Sequence, residues 1–234
     1  YKFLEDKKYR NNSKLIKETI FYSFVTFFLI TAFLIGERAN FVRVLIISVI
    51  FLLALKKDYK ILFSILFVCL ILFSSLISKN ENFKYRFWTT FLSPLIKQPV
   101  SSLFKPPYGD HYKSAIEVFS NNKLFGVGLR NYSKEASKNI NFKNSSVHPH
   151  QVHFEFLAEL GLVGYLSFFS FFLISLILGL KSFLKNHDFY KLSGMLFIFI
   201  YLMPFIPTGS FFTTYGAALF WLNYAILIQN KKLK

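Results

Sequence analysis

The sequence predicts an all-α protein, a multispanning transmembrane bundle of about six helices with a long, partly helical loop on its outer face. Three observations lead there. The first is composition: 53% hydrophobic and 20% aromatic residues, 32 Phe in 234 positions and a mean hydropathy of +0.41, more than an ordinary soluble domain carries. The second is a set of continuous apolar runs without the alternation of a barrel strand. The third is the placement of Lys and Arg, which fall on one alternating set of short loops.

In chain order the runs cover 20–35, 41–55, 61–77, 162–180, 192–206 and 211–228. Several are shorter than the roughly 20 residues of a spanning helix, and Tyr22, Tyr59, Tyr165 and Tyr201 extend them into the interface. Lys2, Lys7, Lys8, Arg10, Lys14 and Lys17 precede the first run, and Lys56, Lys57 and Lys60 separate the second from the third. Lys181, Lys185 and Lys191 follow the fourth, and Lys231, Lys232 and Lys234 close the chain. Alternating helices put all of these on one side, which the positive-inside rule assigns to the cytoplasm. Arg38 and the segment 78–153 then share the outer side.

One membrane domain therefore occupies 1–234: three helices within 20–77, an outer lobe over 78–153, three helices within 154–228 and a cytoplasmic tail at 229–234. The Tyr1 start, with no signal-peptide pattern, reads as the C-terminal part of a longer polypeptide whose earlier spans lie elsewhere. Cys69, the single cysteine, has no partner for a disulfide and reads as packing.

The lobe is too long for a simple connector. Within it Tyr112–Phe119 has Ala115, Ile116 and Phe119 at helical spacing, which suggests a short helix on the membrane surface. Gly126-Val127-Gly128 reads as a turn. Lobe cations, among them Lys84, Arg86, Lys113, Lys123 and Arg130, outnumber Glu81, Asp110, Glu117 and Glu135. They call for anionic lipid headgroups or a diphosphate-bearing substrate rather than nucleic acid.

The lobe ends in V-H-P-H-Q-V-H-F-E-F-L-A-E-L-G-L-V-G, Val147 to Gly164, which places His148, His150 and His153 just before the fourth apolar run. Imidazole is the side chain best suited to proton transfer near neutral pH. Three histidines could equally ligate zinc, as in a metal transporter or membrane metalloenzyme. Against that, no span carries the Asp, Glu or His of an ion pathway, and the outer cations would repel a metal. A noncatalytic flippase or assembly subunit is a third reading.

His150-Gln151, nine residues, then Gly161-Leu162-Val163-Gly164 resembles the H-[NSQ]-x9-G-x-x-G signature of the O-antigen ligase and O-antigen polymerase superfamily (Wzy_C, the O-antigen ligase-related domain). Gly36-Glu37-Arg38-Ala39 is similar to that family's outer-face G-x-R turn, and Gly126-Val127-Gly128-Leu129-Arg130-Asn131-Tyr132 to its G-V-G-x-x-N-[FY] turn. The resemblance covers roughly Ile20 to Ile228. It implies a GT-C-like, metal-independent membrane glycosyltransferase without a cofactor, multi-pass in the bacterial inner membrane. Such an enzyme moves a glycan from undecaprenyl diphosphate to an acceptor, either lipid A core or another lipid-linked glycan, on the periplasmic face.

That chemistry needs a base near the acceptor hydroxyl and cations on the departing diphosphate. His150 takes the first role, as base or acceptor-orienting group, and Arg38 the second, with bidentate donors to phosphoryl oxygens. The family's second arginine, ahead of the lobe helix, has no match in Tyr108-Gly109-Asp110-His111-Tyr112, and His111, Arg86 or Arg130 stands in for it. His148 and Gln151 are further contacts to diphosphate or glycan; Gly126, Gly128, Glu159, Gly161 and Gly164 are supporting residues.

Each has a plainer alternative. Arg38 could snorkel at a helix end, Gly126 and Gly128 could simply form turns, and Gly161 and Gly164 could allow close helix contact. Glu159 could be a buried partner for His150 or an outer cation. His187, beside Asp188, reads as solvated, and the sequons at Asn131 and Asn144 carry little weight.

Overall fold

The computed structural model describes residues 2–54, 59–98, 108–138, 147–204 and 206–229, and among these every regular element is a helix. In order they are α1 (Lys2–Leu34), α2 (Arg38–Ala54), α3 (Tyr59–Lys79), α4 (Glu81–Phe83), a π-helical stretch π1 (Lys84–Leu92), α5 (Ser93–Lys97), α6 (Tyr108–Asn121), α7 (Tyr132–Ala136), α8 (Val152–Asn186), α9 (Phe189–Tyr201) and α10 (Thr214–Ile228). The all-α class is as the sequence predicts. The side chains of Lys2 to Lys14, Lys17, Lys56, Lys57 and Lys231 to Lys234, which set the orientation, and the sequon at Asn144 lie outside the described residues.

Every apolar run folds as helix, with adjusted ends. α9 stops at Tyr201 because Pro204 and Pro207 lack the N–H that continuation needs. α10 starts where Thr213 Oγ1 accepts the Gly216 N–H at 3.1 Å. Among the described helices, α8, at 35 residues, is long and apolar enough to cross a membrane by itself. Phe63–Lys79 and Glu81–Lys97 pass that test as a pair bent by 105°, a broken span or a re-entrant loop. α9 and α10 are apolar but only 13 and 15 residues long, so the count of about six crossings stays a reading of the sequence runs.

The chain divides into two compact units, 1–97 and 98–234, each described here by itself. The division falls inside the segment that the sequence assigns to the outer lobe. In the first unit Phe33 is the packing centre: its ring lies 4.1 Å from Phe73, 4.5 Å from Phe87 and 5.4 Å from Phe41. Such offset and edge contacts add to area burial. These rings, with Cys69 and Trp88, line an apolar cleft of about 840 Å³.

In the second unit α8 is the spine. α6 and α7 pack on its first turns through a core of Ala115, Val118, Tyr132, Ala136 and Ala158. Of the apolar face that the sequence places on the membrane surface, Ala115 is buried in this core and Ile116 stays exposed. Farther along α8, α9 and α10 pack so closely that a Cβ on Gly194 would come 2.6 Å from the Asn223 carbonyl.

Candidate functional site at the head of α8

The start of α8 is built by its own sequence. Gln151, extended at φ −157° and buried, is the N-cap: its Oε1 accepts the N–H groups of His153 (2.7 Å) and Phe154 (3.2 Å). With its carbonyl so engaged, Gln151 keeps only its amide nitrogen for a ligand.

Ten residues on, Gly161 takes φ +65° and breaks the helix. The backbone groups freed there pair with the 123–128 turn. Leu162 N–H donates to Lys123 O (2.8 Å) and Val163 N–H to Leu124 O (3.1 Å); Val127 and Gly128 donate in return to Ala158 O (3.0 Å) and Glu159 O (2.9 Å). The two segments touch backbone to backbone. A Cβ on Gly126 would overlap the Glu159 carbonyl, and one on Gly161 would overlap that of Leu124, so both positions require glycine. Gly128 (φ +86°) completes the turn, with Asn131 Nδ2 donating to Val127 O at 3.1 Å. Gly164 faces its own helix instead, against Leu160. The two glycine motifs thus form one splice.

Two buried glutamates one helical turn apart extend the anchoring. Glu159 accepts the backbone N–H of Arg130 at 2.7 Å and of Tyr132 at 3.4 Å, and it holds Arg130 at φ +60° with its side chain exposed. This carboxylate serves the lobe turn, with the Arg130 charge as a further favourable neighbour. Glu155, which the sequence reading did not single out, accepts from Ser210 Oγ and, at 2.8 Å, from Phe211 N–H. The 206–213 segment fastened in this way donates Thr208 N–H to His150 O at 2.7 Å.

His150 itself sits at φ +57°, a left-handed conformation costly for a residue with a Cβ and kept only where the surroundings over-determine it. Its ring centroid lies 4.1 Å from that of His148 and 5.1 Å from that of His111, with Tyr108 edge-on at 5.6 Å. His111 reaches this cluster from α6, where its carbonyl accepts the hydroxyl of the fully buried Tyr132 at 3.4 Å. Burial pushes the His150 imidazole down to about 4, helped by His148 and then His111. The other two rings are lowered in the same direction, chiefly by burial. All three are therefore neutral at pH 7, each with one donor and one acceptor nitrogen. Beside them the His148 Nε2 and the Tyr112 hydroxyl are buried without a hydrogen-bond partner, and burial holds the Tyr112 phenol protonated, up at about 12.

His153 does not join this cluster. Its Nε2–H donates to the Leu202 carbonyl at 2.7 Å, and its Nδ1 meets the Tyr165 hydroxyl at 3.1 Å. That ring is a strut between α8 and the end of α9, so His148, His150 and His153 are not placed as a ligand triad. Among the described residues no group of three or more His, Cys, Asp or Glu is placed to hold a metal ion. His187 caps α8 at φ +51°, its ring edge-on to Phe183.

In the first unit two cations converge on the 36–38 turn. Arg38 donates Nη1 to Thr90 Oγ1 at 3.0 Å, and Arg86 donates Nη1 to the carbonyl of Gly36, itself at φ +75°, at 3.2 Å. Both tie α2 and its turn to π1.

Every regular element among the described residues is a helix, one of them apolar and of membrane length with three imidazoles gathered at its head, which is the pattern of a helical membrane protein. A family model described as O-antigen ligase (Wzy_C) matches residues 23–169. The chain belongs to the O-antigen ligase family, integral membrane enzymes of O-antigen assembly, and its role lies in membrane polysaccharide assembly. No curated protein and no solved structure matches it. The match takes in Arg38, Arg86, the 126–132 turn, His111, His148, His150, His153 and both glutamates, and it ends before the 206–213 segment whose Thr208 bonds to His150.

Proposed function

We propose that this chain is the catalytic part of a multi-pass glycosyltransferase of the bacterial inner membrane, moving a glycan from undecaprenyl diphosphate to an acceptor on the periplasmic face without a metal or cofactor. The observation that carries this is His150: a strained, neutral imidazole packed against two more, at the head of a membrane-length helix in a chain of this family.

In the proposed step the acceptor hydroxyl attacks the anomeric carbon, the bond from that carbon to the diphosphate oxygen breaks, and the hydroxyl proton passes to His150. Undecaprenyl diphosphate leaves, its charge met by Arg38, with Arg86, Arg130 or His111 as the second cationic or donor contact. Burial alone makes His150 a weak base. An anionic diphosphate nearby raises its basicity, since opposite charge favours the protonated ring. His148, packed on His150, and Gln151, through its amide nitrogen, are the further contacts to diphosphate or glycan.

Ligation to lipid A core is the preferred reading; polymerisation onto a second lipid-linked glycan uses the same donor chemistry. His150→Ala and Arg38→Ala are expected to leave the protein folded and inserted while abolishing transfer, read from surface polysaccharide on gels. Normal polysaccharide in cells carrying either variant would defeat the proposal. In a deletion strain, bare core with accumulated lipid-linked chains indicates lost ligation, and single repeat units on core indicate lost polymerisation.

A further inference from the structure

The 123–129 turn carries an apolar surface that neither the lobe core nor the proposed chemistry uses. Leu124, Phe125 and Leu129 are 61%, 73% and 57% exposed. They flank Gly126 and Gly128, which the splice to α8 fixes, while Val127 between them packs on the lobe core. The turn is therefore rigidly hung, and its large side chains are held outward.

What they face follows from where the turn is attached. Lys123 O and Leu124 O take the N–H groups of Leu162 and Val163, the first residues of α8 beyond its break. Leu162, Val163 and Leu166 are themselves exposed and begin the apolar flank of the membrane-length helix. A bilayer that covers that flank reaches the level of the turn. Lys123, exposed at the edge of the same turn, is then at headgroup depth, where an ammonium meets lipid phosphates and its stem lies along apolar surface. Apolar side chains at an interface with a cation beside them form the pattern of a segment seated at the headgroup and acyl boundary.

We propose that the Lys123–Leu129 turn is an interfacial anchor. Leu124, Phe125 and Leu129 sit in the upper acyl region of the leaflet that α8 enters, Lys123 lies at its phosphates, and the lobe is thereby held at a fixed height above the membrane. The occupant is lipid, not a partner protein. This does not depend on the chemistry assigned to His150.

The test places a probe on the turn. Phe125→Trp, in a background with Trp88→Phe and Trp221→Phe, is reconstituted into vesicles of phosphatidylcholine with phosphatidylglycerol. The introduced indole is expected to emit at short wavelength, to be quenched by lipids brominated high on the acyl chain more than by lipids brominated near its end, and to be shielded from aqueous iodide. Long-wavelength emission quenched by iodide but not by brominated lipid would overturn the proposal. Shielding from both quenchers would also overturn it, since protein would then cover the turn. Leu129→Trp in the same background provides an independent probe if the first variant fails to fold, and its outcomes are read the same way.

Discussion

Two segments are fastened to the first turns of α8, the 123–132 turn of the lobe and the 206–213 segment between α9 and α10, and they are fastened differently. The lobe turn is held four times through its backbone, has a glycine at each point of close approach, and is held once more by Glu159. The 206–213 segment has no such interlock in its hydrogen bonds to α8. Its attachment is the carboxylate of Glu155 on Ser210 and Phe211, with one backbone bond from Thr208 to His150. The first fastening is redundant backbone pairing; the second has one carboxylate and one backbone bond beside the packing of Phe211 and Phe212 on Phe156. His150 lies where the less redundant of the two reaches the site.

The largest disturbance should come from breaking the splice. Gly161→Val sets a β-branched side chain at positive φ against the Leu124 carbonyl, and we expect a loss of more than about 3 kcal/mol or failure to fold, read as lost monodisperse protein after detergent extraction. Next, Glu155→Ala leaves the Phe211 N–H buried without its acceptor, at a cost of about 2 kcal/mol. Hydrogen exchange should rise over 206–213 and activity should fall with it. Glu159→Ala should loosen 124–132 far less, because the four backbone bonds remain; equal loosening of the two segments would erase the contrast.

Gln151→Ala removes a cap that serves α8 alone, for about 1 kcal/mol, and thermal melting should show it without a selective change in either segment. The remaining prediction concerns pH. The His150 value of about 4 lies below that of an unfolded histidine, near 6.5. In that interval the unfolded chain binds more protons than the folded one, so this contribution is complete above pH 6.5 and is lost as pH falls toward 4. His111 and His148 act in the same direction. Melting of the wild type should therefore decline more steeply than that of His150→Gln over this range.

The same contrast decides what could be read from the sequence. Where two backbones meet, the residue types announce it: Gly126 and Gly161 stand where a Cβ would overlap the facing carbonyl, and the two glycine motifs are visible without a structure, whereas the positive φ of Arg130 and His150 leaves no such mark. The apolar runs were equally plain, since each became helix. Glu155, Ser210 and Thr208 are ordinary residues whose meaning is a meeting across 55 positions, and nothing local marks them. H-P-H-Q-V-H pointed to a histidine cluster but not to its membership. His153, on the first turn of α8, is turned to Leu202, and the third ring is His111, brought in by α6 through Tyr132. On α6 periodicity likewise reveals apolar positions but not what meets them: Ala115 is buried with Ala158 and Tyr132, while Ile116 stays exposed.

The splice at Gly161 also governs how this architecture can be altered. An opened helix turn near lipid is tolerable only while its bare amides and carbonyls find partners, and here those partners belong to a segment far upstream in the chain. The outer lobe is thus part of the plumbing of the span, not cargo carried on it. A chimera that exchanges the lobe for that of another protein must bring along a matching 123–132 hairpin, or the transplanted helix would enter the bilayer with its polar seam unstitched.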